Sequence, residues 1–340
     1  MAIYRRPTCQ GVVDISTTQS TRKITSATDN ESQEADLAIL QEIGAGLNAR
    51  PKYINPKYFY DEYGSQLFDE ITRLDEYYPT RTETFLLERF ADDIARVAGR
   101  GRVLLEPGAG SCAKVRLLLR ALAPACYVPI DISRDYLFDA ARQLQSEFTD
   151  IPIHPIADDM KSSIQLPAKL DRVPRLVFYP GSTIGNYTPE QAAEFLRHVR
   201  QTIGDEGGLI IGVDLQKDPD VLNRAYNDAA GITAAFNLNS LTHINTLTGA
   251  DFDPEGFRHV AFYNEQDCRI EMHLESESEQ QVAFADQLVT IGAGERILTE
   301  YSYKYTLEGF AQLAATAGLT AKEHWIDDNS YFSLQYFSAH

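Results

Sequence analysis

The 340-residue sequence predicts an α/β protein, a doubly wound and mostly parallel sheet interrupted by an α+β insertion. Three observations predict it. First, between 103 and 131 an apolar run (Val103, Leu104, Leu105) enters Glu106-Pro107-Gly108-Ala109-Gly110. A helical apolar pattern follows at Val115, Leu118, Leu119 and Leu122, and a second apolar run ends at Asp131. This is strand, glycine turn, helix, strand, the opening unit of a doubly wound sheet, whose ligands bind above the carboxyl ends of the strands. Second, short apolar runs keep alternating with helical patterns as far as Asp214. Third, beyond Asp214 the period falls to two, as in antiparallel strands buried on one face.

In chain order, residues 1–33 are rich in Ser, Thr, Gln and Asn and are expected to form a mobile tail. Leu37, Leu40, Ile43 and Leu47 then recur at helical spacing, and Pro51 and Pro56 bracket a loop. Leu67, Phe68, Ile71 and Leu74 mark a short amphipathic helix. Thr80-Arg81-Thr82-Glu83 has the form of a capping box, opening a helix with Phe85, Leu86, Phe90, Ile94 and Val97 inward and an end near Gly99. The core is expected as strand 102–106, helix 112–122, strand 126–131, helix 133–147, a third strand within 151–157, strand 175–179, helix 189–203 and strand 208–213. Residues 219–247 look helical. Val260 and Phe262, then Ile270, Met272 and Leu274, then Val282, Phe284 and Leu288 alternate as strands do. Helix 306–317 and strands 319–325 and 330–337 complete the chain.

Composition excludes several function classes. The formal charge of −18 opposes nucleic acid and anionic membranes, both of which need a positive field. Cys9, Cys112, Cys126 and Cys268 form no C-x-x-C pair, so no zinc site or redox dithiol is expected and a reducing cytoplasm is the simple inference. Arg5-Arg6 is followed by no apolar run of signal-peptide length, and runs such as Leu209-Ile210-Ile211 are too short to span a bilayer. Histidines at H-x-x-x-H or H-E-x-x-H spacing are absent, so no metal is expected.

The chemistry-bearing residues cluster at strand ends. Glu106, Asp131, Asp159 and Asp214 each follow a strand. One such acid is commonly a cap; a series of them beside a glycine turn points to a ligand. Asp131 is placed to hold ribose hydroxyls, with Asp159 and Met160 at an adenine edge. Gly181-Ser-Thr-Ile-Gly-Asn186 follows the fourth strand on the same edge, and Asn186 both donates and accepts. Clustered tyrosines at 75–83 are compatible with plain packing. On a strand through 298–305, Glu300 and Ser302 share a face, where a carboxylate and a hydroxyl would match the two nitrogens of an imidazole. A solvent-facing strand remains the alternative from spacing alone. The E-x-G-x-G turn, with Ala113 at the third glycine position of the dinucleotide fingerprint, looks like the first motif of S-adenosylmethionine-dependent methyltransferases.

Taken together, YFYDEYGSQLFDEITRLDEYYPTRTE (58–83), EPGAGSCAK (106–114), GSTIGNYTPEQ (181–191), AYNDAAGITAAFN (225–237), RIEM (269–272) and LTEYSYKY (298–305) resemble the L-histidine Nα-methyltransferase family of ergothioneine biosynthesis, over about 34–337. The resemblance implies a Rossmann-like class I methyltransferase sheet with an inserted substrate-binding domain. It divides the chain into the tail 1–33, a substrate domain of 34–81 plus 215–304, and a cofactor domain of 82–214 plus 305–340. It implies a monomeric cytoplasmic enzyme that trimethylates the α-amine of L-histidine to hercynine. Gly108, Lys114, Asp131, Asp159 and Met160 would hold S-adenosylmethionine. Tyr77, Asn186 and Tyr226 would hold the amine and carboxylate, with Tyr77 and Asn186 nearest the chemistry. Glu300 and Ser302 would hold the imidazole, with Tyr301 between them in sequence. Tyr60, Phe68, Gly181, Thr183, Thr233, Phe236 and Met272 would line the pocket. Pro107 and Ala109 depart from the family's Leu and Ser, and Cys112 lies inside the turn. Two other readings are a relative acting on another amino acid such as tryptophan, whose indole offers no matching pair of nitrogens, and a cofactor-binding regulator without turnover.

Overall fold

The computed structural model describes residues 27–158, 168–285 and 287–339, with the backbone alone for 27–36 and 168. In chain order the elements are α1 (Ala27–Asn48), β1 (Lys52–Tyr53), α2 (Glu62–Ile71), α3 (Tyr78–Ala98), β2 (Val103–Pro107), α4 (Arg116–Leu122), β3 (Cys126–Asp131), α5 (Arg134–Glu147) and β4 (Ile156–Ala157). They continue with β5 (Arg175–Tyr179), α6 (Pro189–Ile203), β6 (Gly208–Asp214), α7 (Pro219–Ala225), α8 (Ile232–Thr248), β7 (Phe257–Asn264), β8 (Arg269–Ser276), β9 (Gln280–Phe284) and β10 (Gln287–Ile291). The last are β11 (Arg296–Tyr303), α9 (Leu307–Thr316), β12 (Thr320–Ile326) and β13 (Phe332–Ser338).

Seven strands form the central sheet in the order β12-β13-β6-β5-β2-β3-β4. The pairs from β6 to β4 are parallel, and β13 runs antiparallel to both β6 and β12. Strands β2, β3, β5 and β6 are apolar along both faces because helices cover both. Successive residues serve opposite cores: Leu104, Tyr127, Phe178 and Ile210 pack toward α3, α4 and α5, and Leu105, Val128, Val177 and Ile211 toward α6 and α9. Each such fully buried aliphatic side chain contributes about 1.5–3 kcal/mol. Strand order reverses at β2, and the crevice above its carboxyl end is where an open sheet of this kind takes its ligand.

A second, four-stranded sheet has the order β1-β11-β8-β7. It is antiparallel except for β1, which lies parallel to β11. One core cluster unites Ile43 and Leu47 of α1 with Leu241 and Ile244 of α8 and the hairpin β9–β10; another unites Phe59, Leu67, Tyr226, Phe236 and Met272. The chain leaves the first sheet at Asp214 and returns at Tyr305. The two crossings touch: Leu215 and Tyr305 bridge in parallel, and Gln216 N donates to Tyr305 O at 3.0 Å. No helix among the described residues is long and apolar enough to cross a membrane.

The structure differs from the expectations in several places. Residues 27–33 belong to α1 rather than to a tail, and 1–26 lie outside the described residues. Thr80 caps nothing: α3 already begins at Tyr78, and Glu83 points inward. Phe85 is 45% exposed and Leu288 69%, so each is off the buried face assigned to it. The helix after the glycine turn begins at Arg116, not 112, because Cys112 takes a left-handed φ of 53°. The third strand shrinks to Ile156–Ala157 plus a bridge from Ile153 to Tyr127, since Pro152 and Pro155 have no N–H for a ladder. The helical stretch 219–247 breaks between Ala225 and Ile232, where Gly231 has φ 73°.

Candidate active site

The glycine turn stands at the carboxyl end of β2. Gly108 and Gly110 have φ of 66° and 49°, a region that only glycine enters freely, and a Cβ at either would meet nothing within 4 Å. The backbone therefore faces open space, a cradle that a ligand can approach closely. Asp131, at the end of β3, accepts from Gly110 N at 3.0 Å and from Ser133 N at 2.9 Å, so it pins the turn as well as flanking it. Beneath, Glu106 is buried and accepts from the Tyr127 hydroxyl. Burial pushes its carboxyl up to about 8, only partly offset by Tyr127. Asp159 and Met160, expected at the adenine edge, lie outside the described residues.

Glu83 ties this turn to the loop after β5. Its side chain is fully buried and accepts from Gly181 N at 2.8 and 2.9 Å and from Lys114 Nζ at 2.5 Å. It lies over Gly212 of β6, where a Cβ would come within 2.0 Å of Glu83 Oε1. Lys114, expected among the cofactor's contacts, and Gly181, expected to line the pocket, thus share one carboxylate. Gly181 has φ 84°, and Thr183 stands exposed at the loop's outer edge. Gly185 lets the loop settle on β11: a Cβ there would lie 2.9 Å from Tyr303 O and 3.6 Å from Ser302 Oγ.

The second sheet supplies the facing wall. On β11, Glu300 pairs in register with Met272, and the bulge between Leu298 and Glu300 leaves the alternation of 300, 302 and 304 intact. Glu300 Oε2 lies 3.4 Å from Asn186 Nδ2, which brings the β5 loop to the wall. Burial raises the Glu300 carboxyl to about 7 even though Lys304 opposes the shift. Ser302 Oγ accepts from the Tyr226 hydroxyl at 2.9 Å and from Lys304 Nζ at 2.7 Å. An aromatic box adjoins: Phe68 lies 5.7 Å from Tyr60, 6.3 Å from Tyr77 and 5.9 Å from Phe236, centroid to centroid. Tyr77 and Tyr226 follow at 6.4 Å. Burial holds both phenols above their ordinary value, so they stay protonated near neutrality. Asp228 positions one side of the box by accepting from Ile232 N and Thr233 N, both at 2.8 Å, at the start of α8. Thr233 Oγ1 is buried there with no hydrogen-bond partner among the described residues.

Glu300, Ser302, Met272, Asn186, Tyr226, Tyr77, Tyr60, Phe68, Phe236 and Thr233 therefore converge from distant parts of the chain. Tyr301 does not join them. The pleat turns it to the opposite face, where its ring lies 3.8 Å from the Arg269 guanidinium. Sequence reasoning also missed a buried polar knot. Asp214 accepts from the Tyr78 hydroxyl at 2.8 Å, from Lys217 at 2.6 Å and from Lys304 at 2.8 Å. Burial alone would raise the Asp214 carboxyl, but the two ammonium groups hold it below its ordinary value. Burial brings Lys217 down to about 8, whereas Lys304 is held above its usual value because the attraction of Asp214 outweighs burial. The available signal was Lys304 itself, two residues after Ser302 on the inward face. Among the described residues no group of His, Cys, Asp and Glu is arranged to hold a metal ion.

Residues 39–339 match the profile of a family described as histidine-specific, SAM-dependent methyltransferases. The chain is 42% identical over 303 residues to the histidine N-alpha-methyltransferase of Mycolicibacterium smegmatis, covering 87% of this chain and 94% of that one. It is 39% identical to the protein of that name from Mycobacterium tuberculosis, covering 88% and 94%. It is 29% identical to ergothioneine biosynthesis protein 1 of Neurospora crassa, covering 91% of this chain and 37% of that one.

Proposed function

Since this chain belongs to the histidine-specific, SAM-dependent methyltransferase family, we propose that it transfers three methyl groups in succession to the α-amine of L-histidine. The product is the betaine hercynine, in the first step of ergothioneine biosynthesis. The observation that carries the reading is the facing wall: Glu300 and Ser302 side by side on β11, closed in by the aromatic box and reached by Asn186. A carboxylate and a hydroxyl there suit a ring with two nitrogens. An indole has one N–H and leaves one of the two groups unpaired, which a buried site penalises.

S-adenosylmethionine, when bound, supplies an electrophilic methyl group on a sulfonium. The open cradle at Gly108 and Gly110 fits it, with Asp131 placed for ribose hydroxyls and Asp159 and Met160 proposed for the adenine. Lys114 supports the same end through Glu83. The substrate amine must present a neutral lone pair, so each transfer requires a proton to leave. Tyr77 and Tyr226 stay protonated near neutrality and act as hydrogen-bonding partners rather than as phenolate bases, Tyr77 free to donate and Tyr226, whose hydrogen goes to Ser302, left to accept from the amine. With Asn186 they orient the amine, and positioning is the main catalytic contribution of the protein. The proton then passes through hydroxyl or water contacts to solvent. Phe68, Phe236 and Met272 exclude water around the reactants, with Tyr60 at the outer edge of the box. The reading includes a monomeric cytoplasmic protein with no nucleic-acid or membrane partner, in keeping with a charge of −18.

The test is a mass spectrum of the products formed by purified protein, S-adenosylmethionine and the twenty amino acids together. The expected outcome is histidine carrying three methyl groups, with the other amino acids unchanged. Methylation of tryptophan instead, or a histidine product that never passes one methyl group, would refute the assignment.

A further inference from the structure

Lys304 is 2% exposed. Its Nζ lies 2.8 Å from Asp214 Oδ2, 2.7 Å from Ser302 Oγ and 3.3 Å from the Tyr226 hydroxyl oxygen. An ammonium has three hydrogens and no lone pair, so these partners use all of its donors. Tyr226 in turn donates to Ser302 Oγ at 2.9 Å, as expected of a phenol, a stronger acid than an aliphatic alcohol. A serine oxygen has two lone pairs. Lys304 fills one and Tyr226 the other, and Ser302 is left with only its own hydrogen, for which no described residue is the acceptor.

We propose that Lys304 sets the polarity of the substrate wall. By helping to fill the lone pairs of Ser302, it makes that hydroxyl a donor only, opposite the acceptor Glu300. The wall then fits a neutral imidazole with one N–H and one bare nitrogen, and rejects the imidazolium ion, which carries N–H on both sides. The proposal rests on the reading of Glu300 and Ser302 as the imidazole wall. Lys304 is a positioning residue here, since it acts through Ser302. The charges around the wall balance when Glu300 is ionised: Asp214 and Glu300 carry two negative charges and Lys217 and Lys304 two positive ones, so the selection against the imidazolium ion rests on the Ser302 hydrogen. The other ionisable groups facing it are the phenols of Tyr60, Tyr77, Tyr78 and Tyr226.

Nitrogen-15 NMR of ring-labelled histidine, bound with S-adenosylhomocysteine to the full-length protein, reads the protonation of each ring nitrogen directly. At pH 6, below the ordinary imidazole value of about 6.5, the wild type is expected to show one protonated and one bare nitrogen. The bound ring should titrate about one unit or more below free histidine. Two protonated nitrogens at that pH would overturn the proposal. Lys304→Met frees one Ser302 lone pair, and the bound value should move back up to that of free histidine or above. Because this variant also loses a charge and risks misfolding, Tyr226→Phe is measured beside it. That change frees the other lone pair with Lys304 in place, and should raise the bound value as well. An unchanged value in Tyr226→Phe would overturn the lone-pair argument, and an unchanged value in folded Lys304→Met would overturn the role of Lys304. Failure of the underlying reading looks different: Glu300→Ala would then bind histidine as tightly as the wild type.

Discussion

Removing the Glu300 carboxylate tests the substrate wall quantitatively. In the proposed complex the carboxylate accepts from a ring N–H of the substrate, and its protein partner, Asn186 at 3.4 Å, is too distant to compensate. A hydrogen bond to a charged group contributes about 1.5–3 kcal/mol. Glu300→Ala should therefore lower kcat/KM for histidine roughly 10- to 150-fold, at about 1.4 kcal/mol per tenfold. Most of the change should appear in KM, because the ring is gripped equally before and during transfer. Glu300→Gln keeps an acceptor oxygen and loses the charge, a difference of about 1 kcal/mol or roughly fivefold. The pH dependence separates these effects. The carboxyl is raised to about 7 by burial, so the wild-type wall is ionised above that value and loses its acceptor charge as pH falls through it. Below neutrality, log kcat/KM in the wild type should fall with two ionisations, that of Glu300 and that of the substrate ring. In Glu300→Gln only the substrate's should remain. The assay is initial-rate methyl transfer to histidine and to tryptophan across pH. An unchanged histidine-to-tryptophan ratio in Glu300→Ala, or an unchanged acid limb in Glu300→Gln, would refute the reasoning.

Three further outcomes are expected. Asp131→Ala should weaken S-adenosylhomocysteine binding by about 1.5–3 kcal/mol or more, since the turn loses its tie at Gly110 as well as the proposed ribose acceptor, and calorimetry would show it. Glu83→Ala leaves the half-buried Lys114 and Gly181 N without their shared acceptor and should cost about 1–3 kcal/mol of stability, read as a fall in denaturation midpoint. Glu106→Gln should flatten the pH dependence of stability: the buried carboxyl titrates near 8 in the folded protein and about 4.3 when unfolded, so its ionisation destabilises the wild type as pH rises between those values, and melting curves from pH 4 to 8 would track the difference.

The parallel strands were legible because burial on both faces writes an uninterrupted apolar run, as in Arg175–Tyr179 and Gly208–Asp214. Helix α6 was equally plain, with Pro189 at its start and a capping box from Thr188 to Gln191. What failed was local geometry set by distant partners. The T-x-T-E pattern of 80–83 looked like a cap, yet Glu83 is claimed by Lys114 and Gly181, far away in sequence. At the site, strand alternation was enough to pair Glu300 with Ser302, and the same alternation rules out the neighbouring Tyr301. Lys304 was overlooked because a lysine on a strand ordinarily faces solvent. Only the fold shows Asp214 waiting beside it. Asp214 was noticed as an acid at a strand end but not as the anchor of two ammonium groups.

The touching crossings at Leu215 and Tyr305 have a consequence for how such a protein is altered. The whole excursion from 215 to 304 departs from and rejoins the parent sheet at neighbouring points. Its length and internal design are therefore free to change without moving β6 or α9, as with other insertions whose ends lie close together. The seam imposes one condition: an exchanged segment must bring a cation to its exit, or Asp214 loses a partner in the interior. Grafting a foreign segment should accordingly keep the parent stability when it ends in a lysine equivalent to Lys304, and lower the denaturation midpoint when that position is apolar, with Lys217 and Tyr78 left as the partners of Asp214.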